Sequence, residues 1–387
     1  VVEGILVLFC NFADMKGHYK ILLIGDYSNC HRTLCLALRR LGHDVTIMSD
    51  GCGFQNTARD IDLSRRLPWK FGGMLLNYKC KYPLHSRMAG YDIVALQNPN
   101  FLSLRPKRLR YFFDRLLGEN ERVFLTAAGT DSIYLRESLK PDGPLRYNEF
   151  RIGAEPAPLA LRRPESYMGW LAPELLAYNE YVYEKVHGVV SVLYEYDIAA
   201  RRVVGDDRCA YGGLPIDVDA LTPVTYPAQI DSVRLFLGRH RNRLEEKGTD
   251  LLEMAARRVM ARRPGQCSLD IVENRPYDEY VRIQRSGHVV LDQIYSYTPA
   301  MNALLAMGQG LNVVTGGEPE FYDFIGETEN RPIINALPDV DQLTEILDQV
   351  VCHPELIAAR GEAGRRFVKK HHAAETVAQR YLNFWTK

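Results

Sequence analysis

Apolar residues gather in short runs separated by longer amphipathic stretches, and the alternation repeats along most of the chain. YKILLIGD (19–26) has the length and composition of a strand buried on both faces. NCHRTLCLALRRLGHD follows with Leu34, Leu38 and Leu41 at helical spacing, and Gly42 fits the residue just past a helix end. DVTIMS (44–49) reads as a second strand, and YDIVALQNP (91–99) as a third after a long polar and aromatic stretch. KRLRYFFDRLL (107–117) predicts a helix and RVFLTAAG (122–129) a fourth strand. A proline-rich, irregular section over 141–173 precedes a helix over 174–186 and a strand, GVVSVL.

The pattern then starts again. VRLFLG (233–238), CSLDIVEN (267–274), HVVLD (288–292) and LNVVT (311–315) are strands. Helices within EEKGTDLLEMAARRVMARR, YDEYVRIQRS and MNALLAMGQG lie between them, and 339–384 is largely helical. Alternation of β and α twice over predicts an α/β protein of two doubly wound, parallel-sheet, Rossmann-like domains facing a cleft. A chain of 387 residues also exceeds what one core ordinarily holds. The stretch 205–227, rich in Gly, Pro and Asp, is the expected linker. The expected divisions are 15–212, 213–370 and a returning C-terminal helix, 371–387. Residues 1–14 (VVEGILVLFCNFAD) read as upstream or loosely docked sequence ahead of Met15, with an added edge strand as the alternative.

Ligands of such sheets sit beyond the carboxyl ends of the strands. In LFLGRHRNRLEEKGTD the strand ends at Gly238, where a missing side chain lets a ligand approach the backbone. Arg239 and Lys247 would put two cations at the cleft mouth, suited to a diphosphate; a solvated basic loop with Arg241 and Arg243 is the plainer reading. In LDQIYSYTPAMNALLAMGQG, Thr298 is an expected N-cap and Pro299 an expected first helical residue. The free amides of that helix would attract an anion, with Tyr295 and Tyr297 offering hydroxyls or ring faces. VVTGGEPEFYD places Gly317 and Glu320 after a further strand.

These segments resemble the retaining glycosyltransferases of the GT-B fold, family 4-like (glycosyl transferases group 1). LFLGRHRNRLEEKGTDLLEMA is similar to the family's strand, Gly-Arg, Lys-Gly and helix. HVVLDQIYSYTPAMNALLAMGQGLNVVTGGEPEF is similar to its donor-binding block, and GGLPIDVDALTP to its inter-domain segment. The likeness covers roughly residues 205–370. It implies GT-B architecture and catalytic roles for Arg239, Lys247 and Glu320. It also implies a donor site of Gly238, Glu273, Asp292, Tyr295, Tyr297, Thr298, Pro299, Ala300, Met301, Asn302 and Gly317. Asp26, Gly129, Thr130 and Asp131 would lie on the acceptor side. The chain departs from the family at three places: its paired glutamates fall on Tyr297 and Leu305, the spacing between Arg239 and Lys247 is slightly long, and its first-half histidine has no match in VFLTAAGTDSIY.

The activity implied is transfer of a sugar, with retention, from a nucleotide-diphosphate donor to a glycan or lipid-linked acceptor in bacterial surface polysaccharide synthesis. A non-catalytic GT-B protein that binds a glycan or a partner transferase is the alternative, and a sugar-nucleotide epimerase of the same fold is a third reading. In front-face substitution the donor phosphate itself takes the acceptor's proton, so stabilising the leaving diphosphate suffices.

Composition adds boundaries. Formal charge is zero, from 48 basic and 48 acidic residues, which gives no global field toward nucleic acid. Eight scattered cysteines with no CxxC pair read as free thiols, and the expected location is cytoplasmic. Asp217-Val218-Asp219 and Asp339-Val340-Asp341 fall in a linker and at a helix start, so no metal or cofactor is expected. No GxGxxG follows the first strand, and no Walker loop is present. From Arg59 to Arg122 thirteen Lys/Arg face six Asp/Glu, a net +7, interleaved with Trp69, Phe71, Tyr78 and Tyr82. That local charge suits peripheral binding to an anionic inner leaflet, with an ordinary solvated face as the alternative.

Overall fold

The computed structural model describes residues 17–387 apart from 53–55, 66, 68 and 274; the 1–14 segment lies outside the described residues. Among the described residues nine strands belong to the first half: β1 (Lys20–Ile24), β2 (Asp44–Ser49), β3 (Ile61–Asp62), β4 (Ile93–Gln97), β5 (Arg122–Ala127), β6 (Arg151–Ile152), β7 (Glu155–Pro156), β8 (Gly188–Ser191) and β9 (Cys209–Tyr211). Seven of them form a sheet in the order β3-β2-β1-β4-β5-β8-β9, with every pairing parallel. Strands β6 and β7 make a small antiparallel hairpin inside the proline-rich section. The second sheet runs β11-β10-β12-β13-β14, again all parallel. Its strands are β10 (Val233–Arg239), β11 (Cys267–Glu273), β12 (Val289–Leu291), β13 (Asn312–Thr315) and β14 (Ile334–Asn335).

Burial follows the pattern of residues. Ile21 to Ile24 are fully buried, as expected of a strand covered by helices on both faces. The helix Cys30–Arg40 turns Leu34, Ala37 and Leu38 inward and stops where Gly42 takes φ +92°. Strand order reverses between β1 and β4 in the first sheet and between β10 and β12 in the second, so each sheet has a crevice at its switch point.

The connection between sheets passes Gly212, where a Cβ would lie 2.3 Å from the Tyr381 ring. Ile216 then bridges to Ala373, its amide donating to the His372 carbonyl at 2.7 Å. After this crossing the helix Ala374–Trp385 buries Val377, Ala378, Tyr381 and Trp385 against Leu34 and Leu38 of the first half. This helix begins at Ala374, three residues after the expected 371. A further apolar cluster takes Cys30, Ala128 and Val192 from one lobe and Ala303, Leu304 and Met307 from the other.

Candidate functional site

The carboxyl ends of the two sheets enclose a cavity of about 390 Å³. The first lobe lines it with Tyr27, Gln97, Gly129, Thr130, Glu149 and Tyr196, and the second with Arg243, Glu246, Lys247, Tyr295, Ala300, Met301 and Asn302. Lys247 ends the one-turn helix Leu244–Lys247. Gly248 follows at φ +66°, and a Cβ there would meet Ile294 at 2.3 Å, so only glycine turns the chain this tightly.

Lys247 Nζ stands 3.4 Å from Asp292 Oδ1, at the end of β12. The same oxygen accepts from Asn302 Nδ2 at 3.0 Å, and Asn302 Oδ1 accepts from the Tyr280 hydroxyl at 3.0 Å and from Gln284 Nε2 at 3.2 Å. Asp292 is buried, and through its Oδ1 it anchors Lys247 and the first turn of the helix Met301–Gly308; among the described residues its Oδ2 has no hydrogen-bond partner. That helix has Ala300 as N-cap and no side chain capping it. Its first-turn amides are therefore open donors at the positive end of the helix, where an anion is stabilised.

The helix starts two residues later than the spacing predicts. Thr298 is not its cap, and Pro299 is not its first residue. The reason is Glu195, in the first turn of the helix Tyr194–Val204 of the facing lobe. Its carboxylate accepts the amides of Tyr297 (2.5 Å) and Thr298 (3.1 Å) and the Thr298 hydroxyl. These donors are used up by protein. Tyr297 is buried: its hydroxyl accepts the Arg146 amide at 2.6 Å and its ring lies 5.0 Å from Tyr147 and 5.9 Å from Tyr194.

Other expected residues are also spoken for. Arg239 does not line the cavity; it pairs with Glu253 and Glu273, which removes Glu273 as a ligand group too. The space beside Gly238 belongs to Tyr280, whose hydroxyl would be 2.4 Å from a Cβ, so the glycine admits a tyrosine rather than a substrate. Glu320 and Glu318 both pair with Arg146 across the lobes, and Glu318 also accepts the Tyr147 hydroxyl at 2.5 Å. A Cβ at Gly317 would meet Ile333 at 2.6 Å, which makes that glycine a packing requirement. Asp26 caps the first helix through the His31 amide (3.0 Å) and holds Thr57 (3.0 Å). Asp131 caps the helix Ser132–Ser138 through the Tyr134 amide (2.7 Å) and accepts the Tyr183 hydroxyl (2.9 Å). Of the acceptor-side set, Gly129 and Thr130 line the cavity and Asp26 lines an adjoining groove; of the donor set, Tyr295, Ala300, Met301 and Asn302 line the cavity, with Lys247.

Arg243, Glu149 and Glu195 are among the cavity residues that the sequence does not assign to a site, with Tyr27, Gln97, Tyr196 and Glu246. Arg243 and Lys247 are four apart, which places two cations on one side of a helical turn; the spacing was legible. Arg243 is about half exposed and pairs with Glu246. Glu149 accepts the Tyr134 hydroxyl at 3.1 Å. Burial, with Glu246 and Glu195 nearby, pushes its carboxyl up to about 8, so it keeps its proton at neutral pH.

No family model matches the sequence, and no curated protein matches it. Solved structures do. Sucrose-phosphate synthase from Thermosynechococcus elongatus aligns with a TM-score of 0.62 at 14% identity, over 95% of this chain and 98% of that one. HepE of Anabaena, solved with UDP and glucose, gives 0.57 at 13% identity, over 96% of this chain and 100% of that one. The chain has the GT-B glycosyltransferase fold. A putative UDP-N-acetylglucosamine 2-epimerase from Listeria monocytogenes is also similar, with a TM-score of 0.54 at 13% identity over 95% of both chains. In this GT-B chain the cavity between the domains, with Lys247 and the uncapped Met301–Gly308 helix, is the place where substrate chemistry and fold coincide.

Proposed function

We propose that this GT-B protein is a glycosyltransferase that takes a sugar from a nucleoside-diphosphate donor. One observation carries the reading: Lys247, held by Asp292, lines the same cavity as Met301 and Asn302, the first two residues of a helix that no side chain caps. A pyrophosphate there would receive backbone donors, the helix dipole and one ammonium charge as its bond to the sugar breaks. Arg243, rather than Arg239, is the second cation, released to the phosphate from its exposed pair with Glu246. Protonated Glu149 would offer a hydrogen bond to a sugar hydroxyl without repelling phosphate. UDP and glucose in the structurally similar HepE support this class of donor.

Retention of configuration, a glycan or lipid-linked acceptor, and a place in surface polysaccharide synthesis are finer parts of the same proposal, resting on the family resemblance. Leaving-group stabilisation by cations and amides needs neither a metal nor a carboxylate base. The experiment is a panel of UDP-, GDP- and ADP-sugars, followed for hydrolysis alone and for transfer to acceptor extracts. Turnover of one donor with an α-linked product from an α-linked donor supports the reading. Nucleotide binding with no turnover of any donor contradicts it. That outcome favours a non-catalytic scaffold, the reading suggested by Glu195 and Arg146 tying the two lobes together across the cleft.

A further inference from the structure

The helix Trp69–Lys81 has two apolar faces. One turns inward, burying Leu76 and Cys80 in the first-lobe core. The other turns to solvent: Phe71 is 71% exposed, Met74 57%, Leu75 51% and Tyr78 58%, with Tyr82 just beyond the helix at 57%. Positions 71, 75, 78 and 82 fall on one side of a helix, so the exposed groups make a continuous stripe. Five exposed cations flank it: Lys70, Lys81, Arg105, Lys107 and Arg108. Among the described residues none of the five has a carboxylate partner; Lys81 instead lies over the rings of Tyr82 (5.7 Å) and Tyr111 (5.8 Å).

An apolar stripe ringed by unpaired cations matches an anionic surface with an apolar interior. It does not match a second copy of itself, because the +7 segment from Arg59 to Arg122 would meet like charge. No helix of the described residues is long and apolar enough to cross a membrane, so contact would be interfacial. Behind the stripe lies a groove of about 1340 Å³, with Arg65, Lys70, Met74, Arg105, Lys107 and Arg108 in its walls. Asp26, Asp50 and Glu174 are its acidic members. Tyr27 and Gln97 line both this groove and the interlobe cavity, so the two are continuous.

We propose that the helix Trp69–Lys81 seats the protein on an anionic lipid leaflet, with its outward stripe in the headgroup layer and the five cations on lipid phosphates. The groove then opens at the leaflet and leads a phosphate-bearing, lipid-linked acceptor to the cavity. Only this last step rests on the transferase reading; docking stands without it.

Flotation with vesicles tests docking on the full chain. One set is phosphatidylcholine alone and the other is phosphatidylcholine mixed with phosphatidylglycerol. Binding is expected to the mixed vesicles at low salt, weaker by about tenfold or more at high salt and on neutral vesicles. The variant Phe71→Ser/Leu75→Ser/Tyr78→Ser should lose about tenfold or more of that binding. Lys70→Glu/Lys107→Glu should do the same through charge alone, so the proposal stays testable if the first variant unfolds. Absence of wild-type binding, equal binding to neutral vesicles, or wild-type binding by both variants overturns it. So does light scattering that shows the stripe variant splitting a dimer while vesicle binding is unchanged. Donor turnover without vesicles reports separately on the transferase reading.

Discussion

Thr298 gives both its amide and its hydroxyl to the Glu195 carboxylate, which reaches it from the facing lobe; the amide contact is 3.1 Å. Burial raises the Glu195 carboxyl above its ordinary value, yet three hydrogen bonds hold it in place. Glu195→Ala would leave two amides and a hydroxyl unpaired in a buried joint. The expected loss is about 2–5 kcal/mol in denaturant unfolding, with Glu195→Gln losing less because one oxygen remains. A loss below about 0.5 kcal/mol for the alanine variant would show that the joint does not support the closed lobes.

Arg239 and Lys247 are expected to separate stability from binding. Removing Arg239 leaves Glu253 and Glu273 without their shared cation. Arg239→Ala should therefore lower the melting temperature, modestly because Arg241 still reaches Glu273 and Arg257 still reaches Glu253. Its effect on nucleotide affinity should be small. An Arg239→Ala protein of unchanged stability but strongly weakened nucleotide binding would return Arg239 to the diphosphate site.

Glu149 gives a pH signature. Its carboxyl rises from 4.5 to about 8 on folding. Below the lower value both folded and unfolded states carry the proton, and no penalty exists. As pH climbs the unfolded chain ionises first, so stability is lost from about pH 5 up to about pH 8 and is flat beyond. Glu149→Gln lacks this slope. The variant should gain on wild type across that window, on the order of 1–3 kcal/mol at a part-buried site. Parallel melting curves of the two proteins from pH 5 to 8 would contradict the assignment.

Most of the fold was legible because buried parallel strands write themselves as apolar runs: β1, β4, β5, β10 and β13 all stand where the pattern put them. The helix Trp69–Lys81 was missed because its apolar residues occupy two faces, one of them solvent-exposed, which erases the single-sided period. The short strand β9, three residues long, left no pattern to read. At the site, Lys247 and the Met301–Gly308 helix were visible as local signals at strand ends. The partners that redirect Arg239, Thr298 and Glu320 were not. Glu253, Glu195 and Arg146 lie 14, 103 and 174 positions away, and no spacing rule connects such pairs. Glycines misled for the same reason: Gly238 marks a close approach, but by Tyr280 rather than a ligand.

The most direct test is calorimetric titration of the full chain with UDP, GDP and ADP, beside Lys247→Ala. Saturable one-to-one binding of at least one nucleoside diphosphate is expected, weakened about tenfold or more by the substitution in a protein that still unfolds cooperatively, at a lower melting temperature because buried Asp292 loses its cation. Binding of none of the three, or equal affinity in the Lys247→Ala protein, would contradict a diphosphate site at Lys247 and the Met301–Gly308 helix.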